Sequence, residues 1–295
     1  MLFAAMALVG CKEEDFTAPS FLHIEGINVD ISDEDPLSYN MGFYRSDIVA
    51  AYVVAHYPGS MSVDTVGLFR LPFTTPLLFN GQADYIDIYP AIEQSGISGT
   101  LPYYTFYDKI HLTAGDSTTF VSGDTLNIGT LTTRYSTFTH KLFWASFDHD
   151  EGSVRFDSTL VTVNNSDSAC TGDGYGELTV SAADLTKRFA ISGDPFSVSD
   201  PSSIVYLELD TRSDVRLQVY MHSAYVNGGA EDVLPVMVIN PTDKWQHMYI
   251  NLGRTWAYFN HHATFKISFS ALNTDGIEGK VRIDNVKLIT TNVVL

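Results

Sequence analysis

The sequence predicts an all-β protein. Apolar and polar residues alternate along most of its 295 residues, and helical periodicity is almost absent. Gly, Asn, Asp, Ser and Pro break this alternation at short intervals, as turns do between strands. Aromatic residues make up 13% of the chain, and Thr, Val and Tyr are abundant, which favours strands. The length allows two domains of about 150 residues each.

The chain begins with an apolar run that resembles the signal of a bacterial lipoprotein. Residues 1–10 are too few to span a bilayer, which takes about 20 residues. The end of the run, Leu8-Val9-Gly10-Cys11, resembles a lipobox, in which cleavage precedes a cysteine that is then acylated. The resemblance implies that Cys11 is the lipidated first residue of the mature chain and holds the protein on a membrane. The alternative is an apolar terminus with an incidental cysteine.

An acidic cluster, Lys12-Glu13-Glu14-Asp15, follows this cysteine within a predicted tether over residues 11–20. It resembles the export signal that sends lipoproteins of Bacteroidota to the outer face of the outer membrane. The resemblance implies an outer-membrane protein that faces the cell exterior. A solvated tether with no address would carry similar charge.

The charge of the chain argues against one large class of partner. The formal net charge is −18 at pH 7, whereas nucleic acid binding requires Lys and Arg to neutralise phosphates. The same charge argues against docking on anionic lipid. Apart from Cys11 the chain has a single cysteine, Cys170, so the fold cannot depend on an intrachain disulfide.

Residues 21–136 are predicted to form a first β-sandwich. Asn80-Gly81 between apolar runs indicates a hairpin turn, and the strand after it alternates Tyr85, Asp87 and Tyr89 with isoleucines. The region resembles a PEGA-type, immunoglobulin-like module and the amino-terminal domain of uncharacterised Bacteroidota lipoproteins. Such modules have no general catalytic site.

Two later segments show clear alternation. In SSIVYLELD, Tyr206 and Glu208 share one face of the predicted strand, opposite the apolar face. In VRLQVYM, the apolar residues face inward and Arg216, Gln218 and Tyr220 face outward. This pattern is typical of a sheet with one face on the core and the other in water.

Residues 137–295 are predicted to form the second domain. The order of its strands, with a closing strand Val281–Leu288 that contains Ile-Asp-Asn-Val, resembles the galactose-binding-like jelly roll of many carbohydrate-binding modules. The resemblance covers almost all of residues 142–289 and implies a β-sandwich in a binding role.

Jelly rolls of this kind often hold a structural calcium ion between their first and last strands. The matching acidic residues are Asp148 or Asp150 and Asp284. Calcium takes six to eight oxygen ligands, and carboxylates from two strands could begin such a shell. The alternative is that Asp284 accepts hydrogen bonds from a neighbouring loop and the other two are solvated.

A group of aromatic and polar residues is a candidate sugar site. Trp256, Tyr258 and Tyr225 are predicted on or near loops of the jelly roll, with Arg254 and Asn260 beside them. Exposed aromatic rings can stack on sugars, and the polar side chains can bind hydroxyl groups. Core packing of the aromatic residues is the alternative.

The sequence gives little support for catalysis, and we expect no enzyme activity. It lacks a Gly-x-Ser-x-Gly elbow, a phosphate-binding glycine loop and a His-Glu-x-x-His motif. We therefore expect a non-catalytic surface lipoprotein that binds carbohydrate or another extracellular ligand. The alternative is an accessory subunit of an outer-membrane barrel complex for nutrient import, secretion or assembly. A structural spacer or adhesin stalk is a third reading.

Overall fold

The computed structural model describes most of the two predicted regions. The residues described are 19–30, 46–57, 63–77, 85–113, 123–145, 147–148, 156–192, 195–197, 203–224, 231–258 and 264–291. Cys11, the acidic tether and the Asn80-Gly81 turn lie outside these ranges. The described fold is all-β, as predicted, with sheets stacked as sandwiches. Across this part of the chain, no helix has both the length and the apolar character to cross a membrane.

The strands before residue 134 pair among themselves. They are β1 (Ser20–Ile24), β2 (Gly26–Val29), β3 (Ile48–His56), β4 (Val63–Arg70), β5 (Phe73–Leu77), β6 (Tyr85–Ile92), β7 (Ile110–Thr113), β8 (Thr125–Asn127) and β9 (Thr130–Thr133). The main sheet has the order β4-β3-β6-β7; β1 lies between β5 and β8, and β2 pairs with β9. Leu22, Ile24, Val53, Ile86 and Ile88 belong to the core of this region, which we call the amino-terminal region.

The strands from residue 140 onward form two sheets. The single described helix lies between two of these strands in the sequence. In chain order the elements are β10 (His140–Ala145), β11 (Val161–Asn164), β12 (Gly174–Val180), β13 (Thr186–Ala190), β14 (Val205–Ser213), β15 (Arg216–Ala224), β16 (Asp232–Ile239), β17 (Thr242–Asn251), α1 (Gly253–Tyr258), β18 (Thr264–Leu272) and β19 (Gly279–Thr290). One sheet has the order β11-β12-β19-β14-β17, with β10 also on β19. The other has the order β13-β18-β15-β16. The predicted boundary at residue 137 stays a prediction.

The two later sheets enclose an apolar core. The inward residues Leu217, Val219 and Met221 of β15 are fully buried. Phe189 and Phe269 stack at 4.9 Å between ring centroids in the same core. The alternation predicted for VRLQVYM is therefore confirmed on its inner face.

The alternation of SSIVYLELD has a different outcome. Tyr206 and Glu208 were expected to face water, but they are 5% and 0% exposed, so the expectation of a wet face is wrong here. The cause is the amino-terminal region, whose Tyr104, Phe106 and Tyr135 cover this side of β14. The outer face of this six-stranded sheet is thus a second buried layer.

A buried carboxylate lies at the centre of this junction. Glu208 accepts hydrogen bonds from the hydroxyl groups of Tyr104 at 2.5 Å and Tyr135 at 3.0 Å. The ammonium group of Lys287, itself 1% exposed, lies 3.4 Å from the same carboxylate. Both tyrosines come from the amino-terminal region and Lys287 from β19, so the carboxylate joins the two parts of the chain.

His247 completes the charge balance of the junction. Its imidazole lies 3.1 Å from Asp210 and 3.6 Å from Glu208. Burial would lower the pKa of His247, but the charge of Asp210 and its hydrogen bond outweigh burial and raise it to about 9. Burial has the opposite effect on a carboxyl group and would raise the pKa of Glu208, but Lys287 and His247 lower this pKa to about 2. Both groups are therefore charged at neutral pH.

Further hydrogen bonds join the same two surfaces. The backbone N–H of Ser95 donates to the carbonyl of Tyr249 at 2.8 Å, and the Tyr249 hydroxyl accepts from the N–H of Asp47 at 3.0 Å. The Tyr206 hydroxyl donates to the amide oxygen of Gln94 at 2.9 Å. The junction is therefore a specific polar interface as well as an aromatic one.

We expect Glu208→Gln to destabilise the protein by about 3–5 kcal/mol, because it leaves the buried Lys287 without its anion. Glu177→Gln is the matched control, since Glu177 pairs with Lys280 and Arg282 on β19 nearer the surface, where an ion pair contributes about 1 kcal/mol or less. Urea unfolding at pH 7 measures both variants. Equal losses would contradict the account of the junction.

The destabilisation caused by Glu208→Gln should also depend on pH. The stabilisation from ionised Glu208 is complete above the ordinary pKa of 4.5 and is lost as the pH falls toward about 2. The difference between wild type and Glu208→Gln should therefore shrink over that range.

Candidate functional site

The outer face of the four-stranded sheet is the candidate site. The opposite outer face of the sandwich lies under the amino-terminal region, whereas Arg188, Arg216 and Lys266 reach solvent on this face. Its side chains come from the middle of β13, β18 and β15, whose inner faces pack in the core. A packed inner face holds the outer side chains in place.

The centre of this face is Tyr220, which is half-buried. Its neighbour in the strand register is Ser268 on β18, and Ser268 is opposite Ala190 on β13. The guanidinium of Arg188 lies 5.7 Å from the centroid of the Tyr220 ring. An aromatic ring with a guanidinium beside it offers both stacking area and hydrogen-bond donors.

Polar side chains surround this ring. His222 is two residues after Tyr220 on β15, and its Nε2 is 2.6 Å from the Ser268 hydroxyl. The Gln218 amide donates to the carbonyl of Met237 at 2.9 Å, and Ser270 is buried beside it. Ser268, Ser270 and Gln218 are thus buried polar side chains beneath the face. Tyr220 and Arg188 are the groups that can contact a ligand, with His222 beside them.

A cavity of about 400 Å³ adjoins one end of the face. Its lining includes Arg216 of β15 together with Asp214, Asn240, Asn273 and Glu278. The volume lies within the range of about 300–1,000 Å³ found for ligand pockets. The cavity could therefore receive a group that extends beyond the sheet.

The described residues of the aromatic site predicted from the sequence differ in exposure. Trp256 is 2% exposed and packs on Phe265, with 5.1 Å between ring centroids. The expectation that Trp256 offers an exposed ring is wrong, because α1 turns it into the core. Tyr258 is 71% exposed and Arg254 is exposed on the same helix. Tyr225 and Asn260 lie outside the described residues.

The acidic residues predicted to bind calcium lie partly within the structure. The Asp148 carboxylate accepts hydrogen bonds from the N–H groups of Asp173 at 2.7 Å and Gly174 at 3.0 Å. The backbone closes tightly on it, since a Cβ at Gly172 would lie 2.1 Å from the Asp148 oxygen. Asp150 lies outside the described residues.

Asp284 is the more deeply buried of the two described carboxylates. Burial raises its pKa to about 8, and the charges of Asp210 and Asp148 add to the shift. Its oxygens accept from the N–H groups of Asn285 at 2.8 Å and Thr171 at 3.4 Å. Among the described residues, no three acidic, His or Cys side chains converge as metal ligands. The hydrogen bond from the Thr171 loop to Asp284 agrees with the alternative given for that residue, and the calcium ion stays a prediction.

Sequence reasoning did not single out Tyr220, Arg188 or His222 as site residues. The alternation of VRLQVYM already pointed Tyr220 outward. The same reading of ATFKISFSAL would have placed Lys266, Ser268 and Ser270 on one face. The missing information was which strands are neighbours, because β13, β15 and β18 are far apart in sequence.

Comparisons with known proteins give weak likenesses only. No family model matches the chain, and no curated protein matches it. A family 11 carbohydrate-binding module of a cellulosomal cellulase of Clostridium thermocellum is 15% identical, with 50% of this chain and 95% of that chain covered and a TM-score of 0.33. A family 30 carbohydrate-binding module is 18% identical, with 53% and 89% covered and a TM-score of 0.39. At such scores the likenesses carry no argument about the site.

Calcium binding would give a direct thermal signature. If Asp148 and Asp284 begin a calcium shell, saturating calcium should raise the melting temperature by about 5 °C over protein in EDTA. Asp284→Asn should abolish that response. Asp157→Asn is the matched control, since Asp157 accepts from the N–H of Ala190 away from this site. Equal melting temperatures in calcium and EDTA would contradict the prediction.

Proposed function

We propose that the protein is a non-catalytic, lipid-anchored protein of the outer membrane that binds carbohydrate. The observation that carries the binding role is Tyr220, which lies on an exposed and rigid sheet face with Arg188 and His222 around it. A sugar ring has an apolar face that can stack on an aromatic ring and hydroxyl groups that can take hydrogen bonds. The site offers both kinds of contact.

The location of the protein is proposed from its first residues. The lipobox-like sequence ending in Cys11 supports acylation, and the acidic cluster after it supports export to the cell surface. A lipid anchor would hold the binding face near the membrane. The proposed surface position would give the face access to extracellular glycans.

A pair of tyrosine variants tests which face binds. Tyr220→Ala should weaken binding of the full-length protein to its best glycan on an array by about tenfold, the equivalent of 1.4 kcal/mol. Tyr258→Ala is the control, because Tyr258 is exposed on α1 rather than on the sheet. Isothermal titration calorimetry measures both. Loss with Tyr258→Ala and not with Tyr220→Ala would transfer the site to α1, which carries part of the aromatic site predicted from the sequence.

A second candidate function is docking on an outer-membrane barrel complex, and a surface of the amino-terminal region favours it. Tyr52 and Tyr89 are opposite each other on β3 and β6, and Tyr103 packs edge-on against them at 6.2 Å and 5.9 Å between centroids. Tyr103 is 53% exposed and Leu68 on β4 is 36% exposed. Aromatic residues are enriched in protein interfaces.

Purification of the full-length lipidated protein from its native membrane in mild detergent tests this second candidate. Docking predicts that a barrel protein copurifies in equal amount and is lost with Tyr103→Ser, while Tyr258→Ser retains it as the control. Recovery of the lipoprotein alone would remove the docking function and leave glycan binding.

A further inference from the structure

The candidate face has the opposite charge to the rest of the protein. The chain holds 35 acidic residues and 17 Lys and Arg. The three strands that form the centre of the face, β13, β15 and β18, contain no Asp or Glu. Arg188, Arg216 and Lys266 are exposed on them. A cationic surface on a protein with such an excess of acidic residues favours an anionic ligand.

These cations are not used to hold the fold together. Among the described residues, Arg188, Arg216 and Lys266 form no ion pair, whereas the cations Lys280, Arg282 and Lys287 of β19 all do. An ion pair on the surface would have cancelled their charge. Their positive charge is therefore available to a ligand.

Arg188 and Lys266 lie on either side of Tyr220 along the sheet. In the strand register Arg188 is opposite Ser270 and Lys266 is opposite His222. Ser270 and Lys266 are four residues apart on β18, which corresponds to about 13 Å along a strand. The two cations could thus contact successive charged groups of a polymer that crosses the Tyr220 ring.

Acidic residues limit the cationic surface at both ends. Arg216 lines the 400 Å³ cavity together with Asp214, Asp275 and Glu278, so its field is partly cancelled there. At the other end Glu231 lies 3.5 Å from His222. The anionic groups of a ligand are therefore expected between these ends, at Arg188 and Lys266.

The net charge of −18 does not prevent this binding. At physiological ionic strength, charges more than about 8 Å apart in solvent are largely screened. A ligand on the face is then governed by the cations that it contacts. The guanidinium of Arg188 can also bind a carboxylate through two parallel hydrogen bonds, which a hydroxyl group cannot match.

We infer that the ligand of this face is a polysaccharide whose sugars carry carboxylate groups, a polyuronate. This inference rests on the proposed function and adds the charge of the ligand to it. Tyr220 stacks on a sugar ring, and Arg188 and Lys266 bind carboxylates on the sugars to either side. Sulfated polysaccharides share the negative charge and are separated from polyuronates in the test.

The test uses two polymers that differ only in charge. Polygalacturonate is compared with the same polymer after chemical reduction of its carboxylic acids to hydroxymethyl groups, by calorimetry with the full-length protein. We expect polygalacturonate to bind at least about tenfold more tightly, with an affinity that falls as salt rises. Dextran sulfate is the third polymer, and tighter binding of dextran sulfate than of polygalacturonate would overturn the assignment to carboxylates.

Charge variants locate the binding. Arg188→Gln and Lys266→Gln should each weaken polygalacturonate binding about fivefold or more, and Lys266→Gln should leave binding of the reduced polymer unaffected. Lys244→Gln is the matched control, because Lys244 is exposed on β17 of the other sheet. Polygalacturonate binding that all three variants leave unchanged would overturn the inference.

The remaining outcomes separate the inference from the function on which it rests. Equal binding of both polymers, lost with Tyr220→Ala, would overturn the inference and support carbohydrate binding at this face. Failure of every glycan on the array to bind would overturn the proposed function and the inference with it.

Discussion

The arrangement of the structure depends on the interactions of the buried carboxylate of Glu208. An ionised group with no exposure is costly unless charges and hydrogen bonds compensate it. Lys287 of β19 and His247 of β17 supply the charges, and Tyr104 and Tyr135 supply hydroxyl groups from the amino-terminal region. Packing of the amino-terminal region on this face of the sandwich therefore supplies the hydroxyl groups that satisfy the carboxylate.

That constraint decides where a ligand can bind. A sandwich of two sheets has two outer faces, and the junction at Glu208 covers the face of the six-stranded sheet. On the other face, among the described residues, Arg188 and Lys266 are exposed and Tyr220 is half-buried. The polar junction and the binding face are thus on opposite sides of the same sandwich. The junction is buried, and the binding face is in contact with solvent.

Much of the fold could be predicted from the sequence, and much of the site could not. Alternation of residues identifies the two sides of a strand, which is why Leu217 and Val219 were placed correctly in the core. It does not show what covers the outer side, so Glu208 was wrongly expected in water. Trp256 was misplaced for a related reason, since α1 has only six residues and its periodicity is too short to read. The site at Tyr220 depends on strands that meet only in the folded chain.

Oxidative footprinting of side chains in the full-length protein, with and without the tightest-binding glycan of an array, tests the central claim most directly. We expect Tyr220 to be oxidised in the free protein and protected by the glycan. The junction tyrosines Tyr104, Tyr206 and Tyr249 should resist oxidation in both states. Protection of Tyr258 or Tyr103 with Tyr220 unchanged, or strong oxidation of the junction tyrosines in the free protein, would contradict the account.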